Sequence, residues 1–214
     1  MIPQGTCRFC QINSGSYKYL DIDEPIAGND DFIAVASIGA LVEGWSLIMP
    51  RKHQLSMRNY YSTPLLGNLI ESLLPILVQQ YGPVMVFEHG ANTEGSITSC
   101  GTDHAHLHLV PFGESLLLDM YGSGLNWIRC RSSEIASLTG ESEYLFYSEL
   151  GTDCKWIDPA GHLHILERPF SQFFRRLIAK KTIGDNMFDY KSNPNIEVSR
   201  KTRRALVSMY TPTP

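Results

Sequence analysis

The stretch GTDHAHLHLVPF, residues 101–112, places His104, His106 and His108 at alternate positions between apolar residues. Alternate side chains of a β-strand point to the same face, so this spacing predicts a strand with three imidazoles in a row on one side. Each neutral ring needs a hydrogen-bond partner, and any two rings that become charged repel each other. Such a row is costly without a ligand to organise it, and it therefore predicts a functional site.

Further strands are predicted on both sides of the histidine row. They are short apolar or alternating runs bounded by turn residues, at 32–37, 45–50, 84–89, 142–150 and 154–166. The last of these runs contains Pro159, Ala160 and Gly161, and we expect it to form a hairpin that turns there.

Three helices are predicted. The longest begins at Thr63 and Pro64, with the threonine hydroxyl as its cap, and ends before Gly82; Pro75 within it predicts a kink or break. The second covers 170–183, with its phenylalanines on one side and its basic residues largely opposite, and a basic helix begins at about Ile196. The final residues, TPTP, are expected to fray.

The bulk composition predicts a cytoplasmic protein of one domain with an extension, or of two small domains. The chain has 214 residues, of which 43% are hydrophobic, and it contains no run of 18 apolar residues that would span a membrane. A signal peptide is not recognisable in the first ten residues, and five cysteines is an odd number, so we expect reduced thiols. A net charge of −4 does not indicate a general nucleic-acid binder.

The charge is unevenly distributed along the chain. Residues 168–206 contain ten basic and three acidic residues, a net charge of +7, whereas the remainder, with eight basic and 19 acidic residues, carries −11. A basic segment on an acidic body indicates an anionic ligand, which Arg175 and Arg176 could bind at a helix start capped by Ser171 and Gln172. The alternative is a solvated basic face, which is the commoner role of charge runs.

The histidine row also fits the pattern His-φ-His-φ-His-φ-φ, where φ is hydrophobic, and so resembles the histidine triad (HIT) superfamily of nucleotidyl hydrolases and transferases. CRFCQI (7–12) resembles the opening of that family, and LIMPRKH (47–53) resembles its L-x-I-P-K-x-H strand end. The variant stretches EHG (88–90) and DHAHLH (103–108) look like those of a mostly bacterial branch. The resemblance covers residues 7–112.

The resemblance implies an α+β fold in which a HIT-like antiparallel sheet with a long helix is followed by a C-terminal strand-helix extension. We expect the HIT domain at 1–115 and the extension at 116–214, packed on the HIT core. Family members are commonly homodimers, so a homodimer is expected, although the extension could alter the pairing. No membrane partner is expected.

The resemblance also implies nucleophilic catalysis at phosphorus. His106 would attack the α-phosphorus of a nucleotide to give a covalent nucleotidyl-histidine, and His108 would donate to a nonbridging oxygen. His104 and His53 complete the catalytic set that the resemblance implies. The phosphate contacts expected in the loop before the row are Ser99, Gly101 and Thr102.

Two positions depart from the family pattern. Many HIT hydrolases have a serine or threonine three residues before the first histidine, where it protonates the leaving group, but this chain has Gly101. Thr102, Ser99 or a water molecule would then supply the proton, and P–N or pyrophosphate cleavage is slightly favoured. Ser37 stands where an aspartate commonly binds the ribose, which puts carboxylate binding of the ribose in doubt.

A structural zinc ion is the implied cofactor. Zinc-carrying HIT proteins use two cysteines spaced as in CxxC, the histidine after the I-P strand and the first histidine of the row; here these are Cys7, Cys10, His53 and His104. Four cysteine and histidine ligands with no open position describe a structural site.

The leading functional hypothesis is therefore a hydrolase that releases a nucleoside monophosphate from a phosphoanhydride or phosphoramidate substrate. A nucleotidyltransferase or phosphorylase would differ only in what attacks the covalent intermediate. A non-catalytic nucleotide- or RNA-binding protein is another class, which the basic segment mildly favours. A zinc-stabilised scaffold is the third class, and it leaves His106 and His108 unexplained.

Overall fold

The computed structural model describes residues 7–16 and 20–210, so TPTP lies outside the described residues. The strands are β1 (Ala27–Gly28), β2 (Phe32–Ala36), β3 (Ser46–Pro50), β4 (Val84–Gly90), β5 (Leu107–Pro111), β6 (Ile128–Arg131), β7 (Tyr144–Gly151) and β8 (Ala160–Ile165). The helices are α1 (Arg8–Ser14), α2 (Pro64–Tyr81), α3 (Leu117–Gly122), α4 (Ile135–Thr139), α5 (Phe173–Thr182) and α6 (Ile196–Met209). Among the described helices, none combines the length and the apolar character that crossing a membrane requires.

The strands form one antiparallel sheet in the order β1-β2-β3-β5-β4-β7-β8-β6. Strand β5 lies between β3 and β4, and the C-terminal strands β7, β8 and β6 continue the sheet from β4. The predicted α+β fold, with an antiparallel sheet, a long helix and a C-terminal strand-helix region, is confirmed. The division at residue 115 stays a prediction, and the sheet continues across it.

The sheet has a buried core on each face. On one face Ile48, Val86 and Leu107 pack with the leucines of α2 and with Leu206 of α6. On the other face Leu47 and Phe87 pack with aromatic residues of α1 and α5. His108 pairs with Leu47 on one side and with Phe87 on the other, so its side chain lies on this second face.

Helix α2 differs from the prediction in two details. It is not broken at Pro75, which lies at an exposed position where solvent can bind the carbonyl that the missing N–H leaves free. The Thr63 hydroxyl does not cap the helix, because it donates instead to the carbonyl of Tyr60 (2.7 Å).

The predictions for two strands also need correction. The segment 154–166 is not a hairpin: only β8 is a strand, and it pairs with β6 and β7 rather than with 154–159. The strand predicted over 104–110 begins at Leu107. The N–H of Ala105 donates to the carbonyl of Gln54 (2.6 Å) and that of His104 to Thr102 (2.7 Å), so these amides do not join the sheet.

A buried carboxyl fixes the loop between β3 and α2 to the centre of the sheet. Glu88, 1% exposed, accepts hydrogen bonds from the N–H of Met57 (2.6 Å) and from the hydroxyls of Tyr61 and Tyr144 (both 2.5 Å). Its burial raises its pKa. Because three donors surround one buried carboxyl, the loop that carries His53 is held in a defined position.

We predict that Gly90→Ala destabilises the protein by about 1–3 kcal/mol, a typical cost of overpacking. A Cβ at Gly90 would lie 2.2 Å from the ring of Tyr144, and that ring cannot move away without breaking its bond to Glu88. Urea unfolding followed by circular dichroism measures the change. Gly113→Ala is the matched control, because a Cβ there meets nothing within 4 Å. Equal midpoints for the two variants would contradict the prediction.

Candidate active site

A backbone carbonyl determines which ring nitrogen of His106, the central histidine of the row, carries the proton. Nδ1 of His106 lies 2.8 Å from the carbonyl oxygen of His104, and a carbonyl oxygen only accepts, so Nδ1 carries the proton. The lone pair of the neutral ring is then on Nε2. Burial lowers the pKa of His106, which favours this neutral form.

The third histidine has the opposite tautomer. Nδ1 of His108 accepts a hydrogen bond from the indole N–H of Trp45 (3.0 Å), and an indole nitrogen only donates. The proton of neutral His108 is therefore on Nε2. Burial above all, and then the neighbouring His106, His89 and Arg175, hold the pKa of His108 well below its usual value. The rings of His106 and His108 are 4.9 Å apart, so a lone pair and an N–H donor stand side by side.

The first histidine belongs to a separate cluster with Cys7, Cys10 and His53. The four ligand atoms lie within 4.8 Å of one another. Nδ1 of His104 is 3.4 Å from Sγ of Cys7 and 3.6 Å from Sγ of Cys10, and Nδ1 of His53 is 3.3 Å from Sγ of Cys10. Nε2 of His104 donates to the carbonyl of Pro50 (2.8 Å), so its Nδ1 lone pair faces the cluster.

These distances fit a tetrahedral metal. Zinc–sulfur bonds of about 2.3 Å and zinc–nitrogen bonds of about 2.0–2.1 Å place sulfur and nitrogen ligands about 3.5 Å apart. The N-terminus of α1 supplies both cysteines, and Glu88 fixes the loop that supplies His53. The cluster is therefore compatible with a closed zinc site, in which His53 is a ligand rather than a wall of the cavity described next.

His106 and His108 line a narrow, partly open cavity of about 50 Å³. The other described lining residues are Arg8, Phe9, Ser37, Ile38, Leu47, Ser99, Cys100, Thr102, Arg175 and Tyr190. None of these described residues is acidic. Arg8 is paired with Asp23, so the positive charge that favours an anion in the cavity comes from Arg175.

Arg175 enters this cavity from the start of α5, contrary to the prediction that it lies opposite the apolar side of the helix. It is 3% exposed and donates to the backbone carbonyls of Gly39 (2.6 Å) and Phe188 (2.8 Å). Burial lowers its pKa to about 10, so it stays charged at neutral pH. The described residues form no salt bridge with it. A buried cation without a carboxylate partner is costly unless an anion binds there.

Arg176, its neighbour in the chain, points elsewhere. It is exposed, and its guanidinium carbon lies 3.7 Å from the centre of the Phe188 ring. The helix start is not capped as expected either, because Gln172 at the cap position makes no side-chain cap bond. The structure thus brings Arg175 to the histidines and leaves Arg176 outside the cavity.

Much of the remaining positive charge of the basic segment is paired with acids. The ion pairs are Lys180 and Lys181 with Asp119, Lys181 with Glu114, Arg200 with Asp21 and Glu197, Lys201 with Glu43, and Arg203 with Glu24. These contacts tie the segment to the acidic body. They speak against a continuous basic face for a polyanion.

Of the three residues predicted to contact phosphate in the loop before the histidines, two line the cavity and one does not. Ser99 and Thr102 line it, and the Ser99 hydroxyl donates to Asp103 (2.9 Å). Gly101 is exposed and does not line the described cavity; its φ is +85° and a Cβ would lie 2.9 Å from Nζ of Lys191. The left-handed backbone disfavours a serine or threonine at this position, whereas the flexible Lys191 side chain can move aside.

Ser37 lines the cavity at the position where an aspartate is common. It is 2% exposed, and its hydroxyl donates only a long bond (3.3 Å) to the carbonyl of Ile38. Its backbone carbonyl is held by the hydroxyl of Ser199 in α6 (2.6 Å). The serine can offer a hydroxyl, but not a carboxylate, to a ribose.

Several residues of the site could not be singled out from the sequence. Phe9, between the two cysteines, contacts the rings of both His104 (5.7 Å) and His106 (5.6 Å). His89 is 5% exposed, neither ring nitrogen has a hydrogen-bond partner among the described residues, and burial lowers its pKa to about 3. The only available signal for His89 was the unusual stretch EHG.

A second His-x-His sequence, at residues 162–164 in β8, has a structural role. Nδ1 of His162 is hydrogen-bonded to the hydroxyl of Tyr121 (2.9 Å), and Nδ1 of His164 to the carbonyl of Asn126 (2.9 Å). Neither residue lines the cavity of His106. Both residues lie in β8, which takes the place of the hairpin predicted for this stretch.

Comparison with known proteins gives matches among solved structures alone. The sequence matches no protein-family model and no curated protein. A Hit-like protein involved in cell-cycle regulation from Bartonella henselae is 16% identical, with a TM-score of 0.39, over 54% of this chain and 83% of that one. A Zn-bound histidine triad family protein from Mycobacterium smegmatis is 18% identical, with a TM-score of 0.39, over 53% and 81%.

A HIT family hydrolase from Clostridium thermocellum is 17% identical, with a TM-score of 0.36, over 52% of this chain and 96% of that one. The family in these descriptions is the one that the three sequence motifs resemble. The likeness is too weak to carry any inference about activity or ligands.

Proposed function

We propose that the protein is a HIT-type nucleotidyl hydrolase that forms a covalent intermediate on His106. The observation that carries this proposal is the pair of opposite tautomers at the cavity wall, which presents a nucleophilic lone pair on His106 next to a hydrogen-bond donor on His108. A phosphorus centre with a negatively charged oxygen needs both groups at once.

In the first step, the Nε2 lone pair of His106 forms a bond to the α-phosphorus of the nucleotide. The bond from phosphorus to the leaving group breaks, and the leaving group takes the electron pair. Its proton comes from Thr102 or from water, because the Ser99 hydroxyl is engaged with Asp103 and position 101 has no side chain. The positive charge that develops on His106 is stabilised by the Nδ1–H bond to the His104 carbonyl.

In the second step, a water molecule attacks the same phosphorus. The bond from Nε2 to phosphorus breaks, its electron pair returns to His106, and the proton of the water passes to solvent. The product is a nucleoside monophosphate, and the imidazole is regenerated. In a nucleotidyltransferase or phosphorylase an alcohol or phosphate would replace the water.

Two groups balance the charge on the nonbridging oxygens. The Nε2–H of His108 offers a hydrogen bond, and the guanidinium of Arg175 offers a full positive charge in a buried setting where electrostatic interactions are strong. The absence of acids among the described cavity residues supports an anionic substrate. We therefore place the substrate among nucleoside phosphoanhydrides and phosphoramidates.

We predict that His106→Ala lowers kcat by at least about 1,000-fold, because loss of a covalent nucleophile removes the reaction path. The measurement is release of nucleoside monophosphate from a panel of dinucleoside polyphosphates and nucleoside phosphoramidates, with mass spectrometry of the intact protein to trap the adduct. His164→Ala, in the second His-x-His sequence, is the control and should retain full activity.

The outcomes of this experiment separate the functional classes. Wild-type turnover that persists in His106→Ala would refute the covalent mechanism. Wild-type protein that binds nucleotides without an adduct or turnover would favour the non-catalytic binding protein. Addition of phosphate or an alcohol, with a new nucleotidyl product, would assign a transferase or phosphorylase.

We predict that Arg175→Gln raises KM for an anionic nucleotide by about 10–100-fold, the usual range for loss of a hydrogen bond to a charged group. Arg176→Gln, one position away but exposed, should leave KM unchanged. Steady-state kinetics of both variants, with circular dichroism to confirm folding, makes the comparison. A similar KM for the two variants would show that Arg175 does not bind substrate.

We also propose that Cys7, Cys10, His53 and His104 hold a structural zinc ion. The S–N distances of 3.3–3.6 Å match those of a tetrahedral site. The ion would fix the backbone of His104, whose carbonyl positions His106, and would take no part in the reaction. His53 and His104 would then have a structural role beside the reacting residues His106 and His108.

We predict that the purified protein contains about one zinc per chain and that Cys7→Ser contains much less, because a serine hydroxyl is a poor zinc ligand. Cys154→Ser, which alters a cysteine outside the cluster, should keep the metal. Elemental analysis after gel filtration measures both. Equal zinc content in Cys7→Ser and wild-type protein would rule out the site.

A further inference from the structure

Trp45 contacts two of the groups that face the cavity, although it does not line the cavity itself. It is fully buried immediately before β3, and its ring meets Phe87 and His108 edge-on, with centroids 5.7 and 5.8 Å apart. Arg175 lies over its face, with the guanidinium carbon 5.0 Å from the centre of the ring. One side chain thus connects a histidine of β5 to an arginine of α5.

The N–H at the edge of the Trp45 indole determines which ring nitrogen of His108 carries the proton. A neutral imidazole without a fixed partner can hold its proton on either nitrogen. The N–H of Trp45 requires a lone pair on Nδ1, so it leaves the proton on Nε2, the nitrogen that remains for the cavity. The alternative tautomer would present a lone pair on Nε2 to the oxygens of a phosphate, and the two would repel each other.

The face of the Trp45 indole stabilises the guanidinium cation of Arg175. An aromatic face attracts a guanidinium, and the interaction is stronger in a buried place. Two of the donors of Arg175 are taken by the carbonyls of Gly39 and Phe188, and its guanidinium carbon lies over the Trp45 ring. The remaining donors are directed by these three contacts.

We propose that Trp45 is a positioning residue of the site: its N–H holds His108 in the tautomer that donates from Nε2, and its ring face aligns the Arg175 guanidinium. The role in turnover rests on the proposed function. The role in fixing the tautomer of His108 is a property of the resting protein and can be tested without a substrate.

Two substitutions separate the edge of the indole from its face. Trp45→Phe removes the N–H and keeps an aromatic face for Arg175, whereas Trp45→Leu removes both. Trp127→Phe is the matched control: Trp127 packs in the same core cluster, and its N–H donates to the carbonyl of Met120 (2.9 Å) rather than to a histidine.

The first measurement is nitrogen NMR of protein labelled with ¹⁵N at its seven histidines, in which long-range proton–nitrogen correlations identify the tautomer of each ring. The spectrum of His108→Gln assigns the signals of His108. We expect a single Nε2–H tautomer in wild-type protein and in Trp127→Phe, and a mixture of tautomers in Trp45→Phe and Trp45→Leu.

The second measurement is steady-state kinetics on the substrate found for the wild type. We expect kcat to fall at least about tenfold in Trp45→Phe with KM changed less than about threefold, as befits a donor that matters in the transition state. In Trp45→Leu we expect KM to rise as well. Near-UV circular dichroism confirms that each variant is folded.

Two results would overturn the proposal. One is a pure Nε2–H tautomer of His108 in folded Trp45→Phe, and the other is a mixture of tautomers with unchanged kcat. A wild-type protein without turnover would instead refute the proposed function, and the NMR result would still decide whether Trp45 fixes the tautomer. The two proposals therefore fail separately.

Discussion

The hydrogen bond from Nδ1 of His106 to the carbonyl of His104 is the interaction on which the site depends. It leaves the Nε2 lone pair free, and it forms only if the backbone of His104 is held in place. That backbone is fixed on two sides, because the Pro50 carbonyl binds the ring of His104 and the Gln54 carbonyl binds the N–H of Ala105. Pro50 is the last residue of β3, and Glu88 anchors the following loop, which contains Gln54. The position of His106, the proposed nucleophile, thus depends on the end of β3 and on a loop fixed to the sheet more than on strand β5.

Alternation by itself indicated the histidine row. The fold and the cluster of Cys7, Cys10, His53 and His104 were implied by the family resemblance, which rests on motifs of fixed spacing. The strand start at 104 was placed too early, since alternation cannot show that the N–H of Ala105 bonds to a loop rather than to the sheet.

Contacts between distant parts of the chain could not be found in this way. Trp45 and His108 are 63 residues apart, and Arg175 reaches the carbonyl of Gly39 across 136 residues. Helical periodicity placed Arg175 on the solvent side because arginines are seldom buried. Only the folded structure shows that the start of α5 faces a cavity, which the guanidinium of Arg175 lines.

The position of β7 has a consequence for self-association. Strand β4 is paired on both sides within one chain, so the open edges of the described sheet are β1, which has two residues, and β6. A two-residue strand is too short to hold a partner, and β6 carries Arg129 and Arg131, whose like charges oppose the same strand of a second copy. Growth of the sheet from molecule to molecule is thereby disfavoured, and a homodimer would have to be built from side chains rather than from shared backbone hydrogen bonds.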